Sequence, residues 1–153
     1  MQKAIKEIMD KVTDECVITS CGYISREVYA YKDRPRNFYV LGAMGNALGI
    51  GLGLAYSRAD LKVIVVTGDG ATLMSLGTTV LLRHLILPNL YLNVLNNKSY
   101  ASTGGQRTCF PEFDEHINME IIPCGKESTA PRIPLSCKKI KERFSEAIRK
   151  QEK

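Results

Sequence analysis

Residues Thr67 to Asn97 read T-G-D-G-A-T-L-M-S-L-G-T-T-V-L-L-R-H-L-I-L-P-N-L-Y-L-N-V-L-N-N, and this stretch decides the fold. The four residues before it, Val63-Ile64-Val65-Val66, have the β-branched density of a strand buried on both faces. Gly68-Asp69-Gly70 stops that run, and its two glycines permit backbone angles and a close ligand approach that a Cβ would block. From Ala71 to Leu85, apolar residues recur at helical spacing (Leu73, Leu76, Val80, Leu81). Pro88 ends the helix, and Leu90 to Leu95 is a second strand. Strand, helix and strand form a βαβ unit, with parallel strands and a right-handed crossover. Asp69 and Asn97 therefore emerge together at the carboxyl ends of parallel strands, where open α/β sheets bind ligands.

That placement suits a small, hard cation holding a phosphate. Asp69 offers a charged oxygen and Asn97 a neutral one, and Mg²⁺ takes octahedral oxygens partly supplied by substrate phosphates. The Gly68-Asp69-Gly70 turn opens a helix, whose free N–H groups and dipole favour a second anionic contact. Taken singly, Gly-Asp-Gly also describes a tight turn, and Asn-Asn a polar strand end. What singles them out is the pair, in this order, on one βαβ unit.

Gly68-Asp69-Gly70 with Asn96-Asn97 resembles the cofactor motif of thiamine diphosphate enzymes. The resemblance implies that Asp69, Asn97 and the carbonyl of Ser99 bind the Mg²⁺ that anchors the diphosphate, with Gly68, Gly70 and Ala71 around it. The sulfopyruvate and phosphonopyruvate decarboxylases are the closer likeness. Thr19-Ser20-Cys21-Gly22-Tyr23-Ile24-Ser25-Arg26-Glu27, Gly42-Ala43-Met44-Gly45 and Ser102-Thr103-Gly104-Gly105-Gln106-Arg107-Thr108 are similar to that family's signatures in matching order. By this resemblance the Gly42 carbonyl accepts from the cofactor's 4′-amino group, and Met44 props the cofactor in its bent conformation. Ser20, Ser102, Thr103 and Arg107 are implied to face the substrate.

Composition bounds the rest. A chain of 153 residues, 44% hydrophobic, is read as one globular domain, 1–153, which the resemblance implies is a thiamine diphosphate-binding domain. No apolar run approaches the ~20 residues of a membrane span. The N-terminal stretch Met1 to Glu7 is amphipathic and charged, without a signal peptide's apolar core. Five cysteines without a C-x-x-C pair argue against a zinc site or a disulfide framework and fit a reducing cytoplasm. The net charge of +5 is concentrated at one end: Lys138 to Lys153 holds seven Lys or Arg against three Glu. A single aromatic residue, Phe144, falls among these charges, so they read as a solvated helix face, and neither nucleic acid nor membrane is expected as a partner.

In chain order, Ile5, Ile8, Met9 and Val12 stripe a first helix, Cys16 to Thr19 is a strand, and a helix runs from Ser25 to Tyr31. Thr19-Ser20 can cap that helix. Asn37 to Leu41 is the next strand, and a glycine-rich helix extends to about Ala59. Gly49, Gly51 and Gly53 within it require something packed closely against the backbone. After the 98–108 loop the chain runs almost directly into a strand over 117–122. Pro131 to Leu135 is then an extended arm, and Ser136 caps a last helix. The expected fold is α/β, a three-layer doubly wound and mostly parallel sheet, short of one αβ unit near the C-terminus. His84 is read as a surface residue of the crossover helix, and neither it nor His116 is given a role.

In thiamine enzymes a glutamate that activates the pyrimidine comes from a separate domain across a subunit interface. A single domain has no room for both halves. The resemblance therefore implies a diphosphate-binding subunit with no catalytic residue of its own, completed by a pyrimidine-binding α subunit in a hetero-oligomer that also self-associates. It favours the β subunit of a sulfopyruvate decarboxylase, acting on a small anionic 2-oxo acid. Phosphonopyruvate decarboxylase, the β subunit of a 2-oxoacid:ferredoxin oxidoreductase and a non-catalytic subunit are the alternatives.

Overall fold

The computed structural model describes residues 1–111 and 118–149. Its centre is a five-stranded sheet of β1 (Cys16–Thr19), β2 (Asn37–Tyr39), β3 (Val63–Gly68), β4 (Leu90–Asn96) and β5 (Met119–Pro123), in the order β2-β1-β3-β4-β5. Every neighbouring pair is parallel. Helices α1 (Gln2–Lys11) and α2 (Tyr23–Lys32) cover one face. Helices α3 (Asn46–Ser57) and α5 (Leu76–Leu85) cover the other, with the short α4 (Asp69–Met74) preceding α5. This is the expected three-layer, doubly wound α/β architecture. The β4–β5 connection contains no helix among its described residues, matching a chain short of one αβ unit.

Strand alternation builds two cores. Cys16, Ile18, Val63 and Val65 point toward α3, while Val17 and Val66 point toward α1 and α2. Both faces are apolar because each carries a helical layer. The arm before the last helix crosses the α1–α2 face, packing Ile133 and Leu135 there. That helix, α6 (Cys137–Ile148), begins at Ser136, whose hydroxyl accepts the Lys139 N–H at 3.2 Å. It covers the β2 edge. Ile140 joins one core and Phe144 the other, and the Arg143 guanidinium donates twice to Asp33, at 2.7 and 2.8 Å.

Two local readings differ from the sequence expectation. The crossover helix is broken at Ser75 (φ −126°, ψ 38°), and beyond the break its buried residues are Thr79 and Leu82. Leu76, Val80 and Leu81, three of the apolar residues at helical spacing, are exposed. The helix is apolar on both sides, so periodicity could not choose between them. Nor do Thr19 and Ser20 cap α2, which starts at Tyr23 with Gly22 as its N-cap. Instead the buried Thr19 hydroxyl donates to Ser25 Oγ (3.1 Å), which in turn donates to the Ser20 carbonyl. His84 is exposed on α5, and His116 lies outside the described residues. Among the described residues no helix is long and apolar enough to cross a membrane.

Of the three glycines inside α3, only Gly51 is packed. A Cβ there would lie 2.2 Å from Val65 Cγ2, whereas at Gly49 and Gly53 nothing lies within 4 Å. Gly51 lets the helix backbone rest on β3. Gly51→Ala is expected to destabilise the chain by about 1–3 kcal/mol through overpacking. Gly49→Ala should be neutral or stabilising, by up to about 1 kcal/mol, through helix propensity. Urea unfolding of the two variants beside the parent chain checks this, and equal midpoints for the two would refute the packing assignment.

Candidate functional site

The three strands that carry the site end at one level. Thr19 pairs with Val66, and Gly68 pairs with Leu95, so the loops after β1, β3 and β4 open side by side. The chain leaves β1 toward β2 on one flank and returns as β3 on the other. This is the topological switch point at which doubly wound sheets bind ligands.

A cleft opens there. Ser20 comes from the end of β1, Met44 from the β2–α3 loop, and Gly68 to Ala71 from the β3–α4 junction, with Asn97, Ser99 and Ser102 following β4. Its volume is about 60 Å³, well below the ~300–1,000 Å³ of pockets that enclose cofactor-sized ligands. Three residues with expected roles stand outside the lining. Gly42 is exposed with a left-handed φ of 78°. Thr103 is exposed, its hydroxyl donating to the Tyr100 carbonyl at 3.4 Å. Arg107 lines a neighbouring cavity of about 370 Å³ with Asn96 and Lys98.

Asp69 is 2% exposed, and its Oδ2 accepts the Thr108 hydroxyl. Asn97 Oδ1 accepts the Ser99 N–H at 2.9 Å. Lys98 between them holds φ 57°, a strained conformation of the kind found where a backbone must present its groups. Ser99 Oγ is buried with no hydrogen-bond partner among the described residues. Such an orphan is what a missing ligand or water leaves behind. The side-chain oxygens of these residues are thus a carboxylate, an amide oxygen and a hydroxyl. Among the described residues no three of His, Cys, Asp and Glu cluster. An all-oxygen set of this kind fits a hard cation whose remaining ligands are phosphate and water.

Sequence reasoning missed Cys21, Tyr23, Ile24 and Tyr100, which also line the cleft. Burial pushes the Cys21 thiol up, so at neutral pH it is protonated and no nucleophile. Tyr100 corrects the reading of Gly70. A Cβ at Gly70 would lie 2.5 Å from Tyr100 Cε1, so in this structure the missing side chain makes room for a tyrosine ring. Neither Gly68 nor Gly70 has a positive φ. No sequence spacing reports such a contact, because it joins two loops of different origin.

The family model described as "Thiamine pyrophosphate enzyme, C-terminal TPP binding domain" matches residues 19–150. The sulfopyruvate decarboxylase subunit beta of Methanocaldococcus jannaschii is 37% identical over 96% of this chain and 76% of its own length. The subunit of the same name from Methanothermobacter thermautotrophicus is 46% identical over 69% of this chain and 57% of its own. The phosphonopyruvate decarboxylase of Streptomyces viridochromogenes is 44% identical over 66% of this chain, a match that spans 25% of that enzyme. The likeness to a thiamin diphosphate-dependent enzyme structure from Mycobacterium smegmatis (TM-score 0.53, 20% identity, 74% of this chain and 23% of that one) is one of fold. With the family model covering most of its length, the chain belongs to the thiamine pyrophosphate enzymes, as a C-terminal TPP-binding domain.

Proposed function

We propose that this chain is the diphosphate-binding subunit of a thiamine diphosphate- and Mg²⁺-dependent decarboxylase of 2-oxo acids, with sulfopyruvate as substrate. The observation that carries this reading is the convergence of Asp69, Asn97 and Ser99 in one cleft at the switch point. It is supported by the likeness to sulfopyruvate decarboxylase beta subunits. In this reading Asp69, Asn97 and the Ser99 carbonyl hold the metal. Gly70 and Ala71, in the first turn of α4, offer the diphosphate N–H groups that have no intrahelical partner. Met44 supports the cofactor from the β2 side. When bound, the cofactor supplies the electron sink for decarboxylation. The free thiols fit a reducing cytoplasm.

Two features support a pyrimidine-binding partner. Among the described residues that line the cleft Asp69 is the one acidic residue, so none of them is an activating glutamate. The cleft's small volume is that of part of a site. The outer faces of α3 to α5 supply a surface for association. Tyr56, Met74 and Val80 are each at least 60% exposed, and α3 carries no charged side chain. A helix apolar on all sides is normally covered. We assign this face to contacts with the partner and with a second copy.

Asp69→Ala should weaken thiamine diphosphate binding by ~100-fold or more while the far-UV circular dichroism stays that of the parent; unchanged affinity in calorimetry would remove the metal assignment. Met44→Ala should lower kcat of the assembled enzyme by roughly 10–100-fold and cofactor affinity far less, and equal losses would make Met44 ordinary core. The purified chain should release no CO₂ from sulfopyruvate or phosphonopyruvate until a pyrimidine-binding subunit is added. Turnover by the chain alone would end the split-site reading. Comparing the two acids in the assembled enzyme settles which of them is the substrate.

A further inference from the structure

The segment after β4 folds back on itself as a hairpin. Ser99 and Arg107 form an antiparallel bridge, the Tyr100 N–H donates to the Gln106 carbonyl at 2.8 Å, and the Thr108 N–H donates to the Lys98 carbonyl at 3.2 Å. Thr108 is therefore the foot of the returning arm, level with the turn between Asn97 and Ser99. Its side chain is 5% exposed and donates to Asp69 Oδ2, 39 residues earlier in the chain. No other side chain among the described residues hydrogen-bonds that carboxylate. Thr108 also lines the cavity that holds Lys98 and Arg107, so it stands in the wall between that cationic pocket and the Asp69 cleft. A second contact docks the same hairpin, the Tyr100 ring lying against Gly70.

We propose that Thr108 is a positioning residue for the cofactor metal. Its hydroxyl occupies one oxygen of Asp69 and fixes the carboxylate rotamer, leaving Oδ1 to face the cation, and it ties the hairpin to the metal ligand. The inference rests on the reading of Asp69 as a ligand of Mg²⁺. A carboxylate ligand held by an outer hydrogen bond pays no ordering cost when the metal arrives, and loss of such a partner typically lowers metal affinity 10–100-fold. Tying the hairpin to Asp69 also means that metal binding and the order of residues 98–108 rise and fall together.

The test titrates Mg²⁺ at saturating thiamine diphosphate into the full chain assembled with its pyrimidine-binding partner, or into the full chain alone should it bind the cofactor unaided. Cofactor binding is read by calorimetry. Thr108→Val keeps the shape and removes the donor, Thr108→Ser restores it, and Asp69→Ala serves as the reference for loss of the ligand. Expected is a rise of about tenfold or more in the Mg²⁺ half-saturation for Thr108→Val, with Thr108→Ser close to the parent and the circular dichroism of both unchanged. A Thr108→Val value within twofold of the parent, while Asp69→Ala has lost binding, overturns the inference alone, as does failure of Thr108→Ser to rescue. Asp69→Ala binding like the parent, or no Mg²⁺-dependent binding by the parent, overturns the metal reading and this inference with it. If Thr108→Val unfolds, the Thr108→Ser and parent chains are compared with Thr108→Ala, for which the same rise is expected and the same twofold limit applies.

Discussion

The register between β1, β3 and β4 is the constraint on which the rest of the molecule depends. Because Thr19 lies opposite Val66 and Gly68 opposite Leu95, three strand ends reach one edge at one height, and loops from distant parts of the chain meet there. A slip of one residue would exchange Val63 and Val65 with Ile64 and Val66 between the two cores. It would also take Val65 away from Gly51, where the α3 backbone rests directly on the sheet. The register is thus locked from both faces, and the position of Asp69 follows from it.

The two edges of the sheet are treated differently. The β2 edge is closed by α6, through Phe144 against Phe38 (ring centroids 5.3 Å apart) and through Arg143 on Asp33. Asp33 also accepts the hydroxyl of buried Tyr39, whose phenol is pushed up chiefly by burial. Covering an edge in this way removes the unpaired backbone groups that invite another chain. The β5 edge has no fully buried side chain: Met119, Ile121 and Ile122 are half-buried, and Glu120 and Pro123 are exposed. The apolar outer surfaces of α3 and α5 add to the impression of a unit made to be covered.

The cleft is lined mainly by small polar and apolar groups, with Asp69 the one charged side chain among the described residues that line it. Gly45 shows the demand on the backbone. It holds φ 94°, and a Cβ there would lie 3.1 Å from Met74 Cβ, so it allows the β2–α3 turn to approach α4 closely. That approach puts Met44 beside Gly68 to Ala71 in the cleft lining. Burial keeps Asp69 away from bulk water, so its orientation depends on the few groups that touch it.

Elements and their order were legible because each carries its own period or punctuation. The run Val63 to Val66 is β-branched throughout, Ser136 precedes an amphipathic helix, and Asp69 and Asn97 bracket one βαβ unit. Parallel strands must send Asp69 and Asn97 to the same edge, so their meeting in one cleft could be read from chain order alone. Two things stayed hidden. The side of α5 that is buried could not be read, because Leu76, Val80 and Leu81 are as apolar as the residues that face the sheet, and only packing decides. The contacts of Tyr100 with Gly70 and of Thr108 with Asp69 span about 30 and 39 residues. They arise only when the hairpin folds back over the β3–α4 junction, a path no local pattern encodes. Sequence alone determined which residues reach the ligand edge, since strand direction follows from connectivity. Tertiary structure alone decided which of them touch, because contact is a matter of distances a few ångströms across between loops far apart in the chain.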